Sequence, residues 1–91
     1  MPVTETPTFL EKREDVWVTC SSYENVSSME VACTVEGVSQ EKVVIAPVDL
    51  FDIETTAIRG VVVGSDGNGD RLVDLPSGAR ILVEKSKLRR R

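Results

Sequence analysis

The last third of the chain, residues 59–91, most constrains the fold, because it alternates short β-type runs with two turn signals. The loop at 65–70 contains Asp-Gly and Asn-Gly, which supply the positive φ angles that hairpin turns require. The motif Leu75-Pro76-Ser77-Gly78 has proline second and glycine fourth, which is typical of a type I turn followed by a glycine bulge. The segment therefore predicts an all-β fold that contains a tight antiparallel meander, with strands at 57–63, 71–75 and 79–84.

Two runs in the first half of the chain alternate with the period of a strand that has one buried face. They lie at 16–20 and 29–36, and the polar residues 21–28 between them predict a loop. We expect the two runs to pair as a hairpin about this loop. The inward-facing residues would be Val16, Val18 and Cys20 in the first run and Met29, Val31, Cys33 and Val35 in the second.

The middle of the chain adds one more strand. Residues 42–46 form a short apolar run, which predicts a strand covered on both faces, and Pro47 either ends this strand or marks a sheet edge. Residues 49–54 fit either a single helical turn capped by Asp49 or an irregular crossing strand, and we favour a linker that buries Phe51. We expect Gly60 to mark a bulge or bend. About six short strands without a long helix indicate a small antiparallel barrel or a compact sandwich. The barrel is favoured because closure removes exposed strand edges.

A length of 91 residues leaves room for one domain. We assign residues 1–8 to a flexible arm, 9–88 to the single β domain and 89–91 to a basic tail. Residues 8–11 fit a helix capping box, and the alternative is that they lead into the first strand. The chain has no basic start followed by an apolar run, and no apolar stretch of about 20 residues. We therefore expect a cytoplasmic or virion-associated protein without membrane contact.

The two cysteines are predicted to be buried, reduced thiols. In the expected hairpin Cys20 faces Met29 and Cys33 faces Val16. Four residues of strand then separate the cysteines, which corresponds to about 13 Å. A disulfide requires Cα atoms within about 7 Å, so this register does not allow one.

The closing meander resembles the second half of SH3-like barrels, which include the KOW-type and ribosomal SH3-like domains. The resemblance lies in Gly60-Val-Val-Val, in residues 68–75, in residues 76–83 and in the closing Lys85-Ser-Lys-Leu. It is confined to residues 59–88. The resemblance implies a binding or assembly module that presents loops on a rigid barrel.

Residue chemistry argues against an enzyme. The chain has no histidine, the side chain most used for acid–base catalysis near neutral pH and the commonest metal ligand. The Asp-Gly-Asn-Gly of the 65–70 loop resembles the centre of an EF-hand. With Gly69 at the obligatory glycine, however, Gly64 and Leu75 fall on the first and twelfth ligand positions, where neither can bind calcium. We therefore expect no catalytic residues, metal, cofactor or small-molecule substrate.

Charge is distributed unevenly along the chain, and the total is −4. Residues 1–56 hold eleven acidic and three basic residues, a net charge of −8, whereas residues 57–91 hold four acidic and eight basic residues, a net charge of +4. Such asymmetry indicates a charged partner. The candidate site for an anionic partner or nucleic acid consists of Lys85, Lys87, Arg89, Arg90 and Arg91, and the alternative is a solvated tail that binds nothing.

These features favour a non-enzymatic β-barrel module for protein–protein interaction or self-assembly, such as a structural subunit of a phage virion. Nucleic-acid binding through the basic C-terminus is the second hypothesis. It ranks below the first because the net negative charge and the scarcity of aromatic residues disfavour it. A small acidic inhibitor of a basic partner is the third.

Overall fold

The computed structural model describes residues 8–90, without the side chains of residues 8, 10 and 11. Within this range the chain forms strands and two single-turn 3-10 helices, Val48–Leu50 and Lys85–Lys87, so the all-β prediction is confirmed. The strands are β1 (Thr8–Thr19), β2 (Ser22–Asn25), β3 (Glu30–Glu36), β4 (Glu41–Pro47), β5 (Phe51–Asp52), β6 (Ala57–Ser65), β7 (Arg71–Asp74), β8 (Arg80–Val83) and β9 (Leu88–Arg90).

The strands form two antiparallel sheets. The larger sheet has the order β8-β7-β6-β1-β9, and β5 also pairs with β6. The smaller sheet has the order β2-β3-β4. Each sheet contributes one face to a shared core of mainly β-branched side chains, which suit a pleated surface. Among the described residues, no helix has the length and apolar character needed to cross a membrane.

The predicted meander is confirmed as β6, β7 and β8. In the first turn the Asp66 carboxylate accepts hydrogen bonds from the N–H groups of Asn68 and Asp70, at 3.0 and 2.9 Å. In the second turn the Gly78 N–H donates to the Leu75 carbonyl at 2.9 Å, and Gly78 has a φ of +85°. Only glycine adopts that φ without strain, so this turn could be predicted from its own residues.

The expected hairpin between the first two alternating runs is wrong. β1 pairs with β6 and β9, whereas β3 pairs with β2 and β4. The predicted loop at 21–28 contains β2, which adds an edge to the smaller sheet. The residues predicted to face inward are confirmed to be buried, except Met29, which precedes β3 and is 70% exposed.

The predicted distance between the two cysteines is also wrong, because it was based on that hairpin. Cys20 and Cys33 are both buried and free, as core thiols were predicted to be. Their thiols are neighbours that affect each other's protonation, because the two sheets face each other across the core.

The predicted burial of the 42–46 strand on both faces is also wrong. Val44 and Ala46 are fully buried, but Val43 and Ile45 on the opposite face are 67% and 51% exposed. The reason is that no described element covers the outer face of the smaller sheet, where residues of β2 and β3 are also exposed or half-buried. Pro47 ends the strand, as expected.

Gly60 does not mark the predicted bulge. The β1–β6 register is continuous at Gly60, and the irregularity against β7 lies between Val62 and Gly64. A Cβ atom at Gly60 would meet Val73 Cγ1 at 2.7 Å and Val18 Cγ2 at 2.9 Å. Gly60 therefore permits close packing. The segment 49–54, for which a linker was favoured, contains the end of the first 3-10 helix and β5. Phe51 of β5, predicted to be buried, is half-buried against the core and lies 4.8 Å from Tyr23 between ring centroids.

The two ends of the domain differ from the predicted boundaries. Thr8 begins β1, so residues 8–11 form a strand and no capped helix, and the rest of the predicted arm lies outside the described residues. Arg89 and Arg90, assigned to a tail, are the last two residues of β9. They are held there by backbone pairing with Trp17 and Val16 of β1.

Two contacts join the sheets at their corners. Directly after β1, the Cys20 N–H donates to the Thr56 carbonyl at 2.9 Å. The next N–H, that of Ser21, donates to the Thr34 carbonyl of the smaller sheet, also at 2.9 Å. At the other end, the Val38 N–H of the β3–β4 turn donates to the Leu82 carbonyl of β8 at 2.8 Å. The core is thus enclosed between two linked sheets.

Candidate functional site

The predicted basic site is divided by the structure. Lys85 and Lys87 lie in the second 3-10 helix, and Arg89 and Arg90 lie in β9. The fifth residue, Arg91, lies outside the described residues. Because side chains alternate along a strand, the two arginines of β9 point to opposite faces of the larger sheet.

Arg90 lies on the core side of the larger sheet, opposite Val16 of β1. There it borders a cleft of about 470 Å³, which we call the basic cleft. Its volume is within the usual range for ligand sites. The basic cleft is lined by Lys12, Glu14, Val16, Val62, Ser65, Arg71, Lys85, Leu88 and Arg90.

The floor of the basic cleft is aliphatic and its rim is positively charged. Val16 and Val62 belong to the buried core, and Leu88 packs against it. Four of the lining residues are lysine or arginine, and Glu14 is the single acidic one. Arg90 Nε lies 3.7 Å from Glu14 Oε1, so Glu14 offsets part of the charge at one side.

Local irregularities bring the rim together. Phe9 of β1 pairs with Gly64 of β6, and Glu14 pairs with Val62. Between these two pairs β1 has four residues and β6 has one, so β1 bulges. Such a bulge redirects side chains, and Lys12 comes from this segment. On the facing side, Arg71 Nη1 donates to the Gly69 carbonyl at 2.5 Å, which anchors the guanidinium beside the hairpin loop.

Lys12 and Arg71 were missed in the sequence. Neither belongs to a basic run, and Lys12 is followed by Arg13 and Glu14 in a mixed stretch. Their proximity to Lys85 and Arg90 depends on β1 pairing with β6 and β9. The hairpin loop 65–70 predicts that Arg71 begins a strand. No local feature of the sequence points to Lys12.

The opposite face of the larger sheet carries a second basic feature. Trp17 of β1 lies between Arg59 of β6 and Arg89 of β9 in one row across the sheet. Arg89 Nη2 donates to Thr55 Oγ1 at 3.0 Å and lies 3.6 Å from the Asp52 carboxylate. This ion pair neutralises part of the positive charge beside the indole.

Comparisons with protein-family models, curated proteins and solved structures gave no match to this chain. Among the described residues, no group of three or more cysteine, aspartate or glutamate residues is placed to hold a metal ion. What the basic cleft offers chemically is charge and hydrogen-bond donors above an aliphatic surface. It can hold an anionic group that is attached to an apolar one.

Proposed function

We propose that this protein is a non-enzymatic binding module whose basic cleft holds an acidic segment of a partner protein. The observation that carries the proposal is the combination of four cationic side chains with an aliphatic floor. Carboxylates of the segment would pair with the rim by charge-assisted hydrogen bonds. A leucine or valine of the segment would pack against Leu88, which is the partly exposed residue of the floor, since Val16 and Val62 are buried beneath it.

The lining favours a protein segment over a nucleic acid. Bases bind non-specifically by stacking on aromatic rings, and none of the nine lining residues is aromatic. A phosphate group could contact the rim, but the aliphatic floor would then contribute little.

Strand order supports a module of the SH3-like kind. The meander β6–β7–β8 is followed by the 3-10 helix Lys85–Lys87 and then by β9, which returns to pair with β1. The same order of meander, short turn and closing strand occurs in SH3-like barrels, which the closing sequence resembles. In this chain the smaller sheet is inserted between β1 and β6. Such modules serve assembly, and a subunit of a larger particle such as a phage virion would be one setting.

Matched variants can test the basic cleft because its helix and strand each hold a second cation outside it. K85Q/R90Q removes two cleft cations, whereas K87Q/R89Q removes the same charge from the same two elements. The probe is a fluorescein-labelled peptide of alternating glutamate and leucine, followed by anisotropy. We expect K85Q/R90Q to weaken binding about tenfold or more and K87Q/R89Q to change it little. Equal weakening by both pairs would mean that net charge alone attracts the peptide.

Nucleic-acid binding is the second candidate function, and the row of Arg59, Trp17 and Arg89 favours it. An indole flanked by guanidinium groups is the type of surface on which single-stranded bases stack. A labelled thymidine oligonucleotide gives the opposite expectation for the same variants. Its affinity should fall with K87Q/R89Q and fall steeply with added salt. Oligonucleotide binding without peptide binding would replace the first proposal with this one.

A further inference from the structure

β4 is an edge strand of the smaller sheet, and its central residues carry no charge. It pairs with β3 over its full length, Glu41–Pro47, without a register shift, and no other described strand pairs with its free side. Natural sheets usually protect edges with charges, prolines or bulges in the strand. Here the charged residues Glu41 and Lys42 and the proline Pro47 stand at the two ends, and the middle of the strand, residues 43–46, is entirely apolar.

The register leaves backbone groups of β4 free to bond outward. The Val48 N–H bonds to the Met29 carbonyl at 2.9 Å, and Pro47, which has no N–H, lies opposite Glu30. Bonded and non-bonded pairs alternate along an antiparallel ladder. Val43 and Ile45 therefore belong to non-bonded pairs, and their N–H and C=O groups point away from β3.

The same two residues also expose their side chains, Val43 by 67% and Ile45 by 51%. Both lie on the outer face of the smaller sheet, in rows that continue through Thr34 and Ala32 of β3. A strand added at this edge would gain main-chain hydrogen bonds and apolar contacts from the same positions. That combination is the usual basis of recognition by strand addition.

Charge on this face defines the partner. Alternation along the strands places Glu24, Glu30, Glu36 and Glu41 on the outer face with Val43 and Ile45, and no lysine or arginine of the three strands shares that face. Lys42, the single cation of these strands, is on the opposite side. Two copies joined edge to edge would place both sets of glutamates on one continuous face, where like charges repel. The face therefore favours a positively charged strand over a second copy of the chain.

We propose that the free edge of β4 binds an extended, positively charged segment of another protein as a fourth strand of the smaller sheet. Small apolar side chains of the segment would lie beside Val43 and Ile45. Its lysine or arginine side chains would reach the outer-face glutamates. This site is separate from the basic cleft, which lies in the larger sheet and takes charge of the opposite sign.

The test uses a synthetic peptide of alternating lysine and valine, with binding measured by isothermal titration calorimetry. V43T/I45T removes apolar surface from the edge but keeps branched side chains that suit a strand. The matched control V26T/I53T changes one valine and one isoleucine that are 53% and 62% exposed outside β4. We expect V43T/I45T to weaken binding about tenfold and the control to leave it unchanged.

Peptide analogues separate the other contributions. An analogue N-methylated at alternate residues cannot form the ladder bonds, and an analogue with glutamate in place of lysine carries the wrong charge. We expect neither to bind, and we expect E24Q/E41Q to weaken binding of the parent peptide. K85Q/R90Q should have no effect, which distinguishes this site from the basic cleft. Equal binding of either analogue, absence of binding by the parent peptide, or dimers that V43T/I45T abolishes in sedimentation would overturn the proposal.

Discussion

Arg80 donates two hydrogen bonds to the carboxylate of Asp74, from Nε to Oδ1 at 2.5 Å and from Nη2 to Oδ2 at 3.1 Å. The two residues are paired across β7 and β8, directly before and after the Leu75–Ala79 turn. Bidentate pairing of this kind fixes the geometry of both side chains. The hydrogen bonds from Arg80 lower the pKa of Asp74 below its usual value.

This pair predicts a loss of stability in acid. A carboxyl group with a lowered folded-state pKa stabilises the fold above its unfolded pKa, near 3.8, and the contribution is lost as the pH falls through the lower folded value. Thermal unfolding between pH 6 and pH 2, followed by circular dichroism, should show that D74N loses less stability in acid than the wild type. Parallel curves for the two proteins would show that the pair has no net effect on folding.

Two isoleucines should differ sharply in their contribution to stability. Ile58 is fully buried in the core, whereas Ile45 is 51% exposed on the outer face of the smaller sheet. I58A should lower the free energy of unfolding by about 2–5 kcal/mol, because it leaves a cavity between the sheets. I45A should cost less than about 1 kcal/mol. Urea unfolding measures both, and similar losses would mean that Ile45 is covered in solution.

The contact between the β3–β4 turn and β8 should be intolerant of a single methyl group. A Cβ atom at Gly37 would meet Ile81 Cγ1 and the Leu82 carbonyl oxygen at 2.7 Å each. Because one of these atoms is backbone, relief requires the turn to move away from β8. We expect G37A to lower the free energy of unfolding by about 1–3 kcal/mol, measured in urea. Q40A, at an exposed position of the same turn, is the control and should have little effect.

The sequence was informative where structure is decided locally. The turn at Leu75–Gly78 and the hairpin at 65–70 each depend on a few neighbouring residues, so the order of β6, β7 and β8 followed from turn chemistry. Alternation also identified the buried face of β3. These features need no knowledge of a distant strand.

Pairing between distant segments could not be read in the same way. Alternation shows that Val16 and Val18 face inward, but it does not say whether β1 pairs with β3 or with β6 and β9. The exposed face of β4 is also decided non-locally, because it depends on whether another layer packs on the outer face of the smaller sheet. The basic cleft was only half predicted for this reason, since Lys12 and Arg71 join it through those pairings.

The neighbouring thiols of Cys20 and Cys33 give a last, alkaline prediction. Burial raises the pKa of Cys20 to about 12, and burial also raises the pKa of Cys33. An ordinary thiol in the unfolded chain ionises near pH 9.0, so above that pH the unfolded state releases a proton that the folded state retains. The stabilising contribution is therefore complete below pH 9 and is lost as the pH rises toward 12.

For Cys20 the expected loss is about 1.4 kcal/mol per pH unit across that interval. Urea unfolding at pH 8 to 11, in the presence of a reductant, measures it. C20A should start from a lower stability at pH 8, because it removes a buried side chain, but should decline less steeply above pH 9. C33A tests the second thiol in the same way, by its stability at pH 8 and by its slope above pH 9. If both variants follow the wild-type slope, the alkaline loss comes from other groups and the burial of the thiols has no part in it.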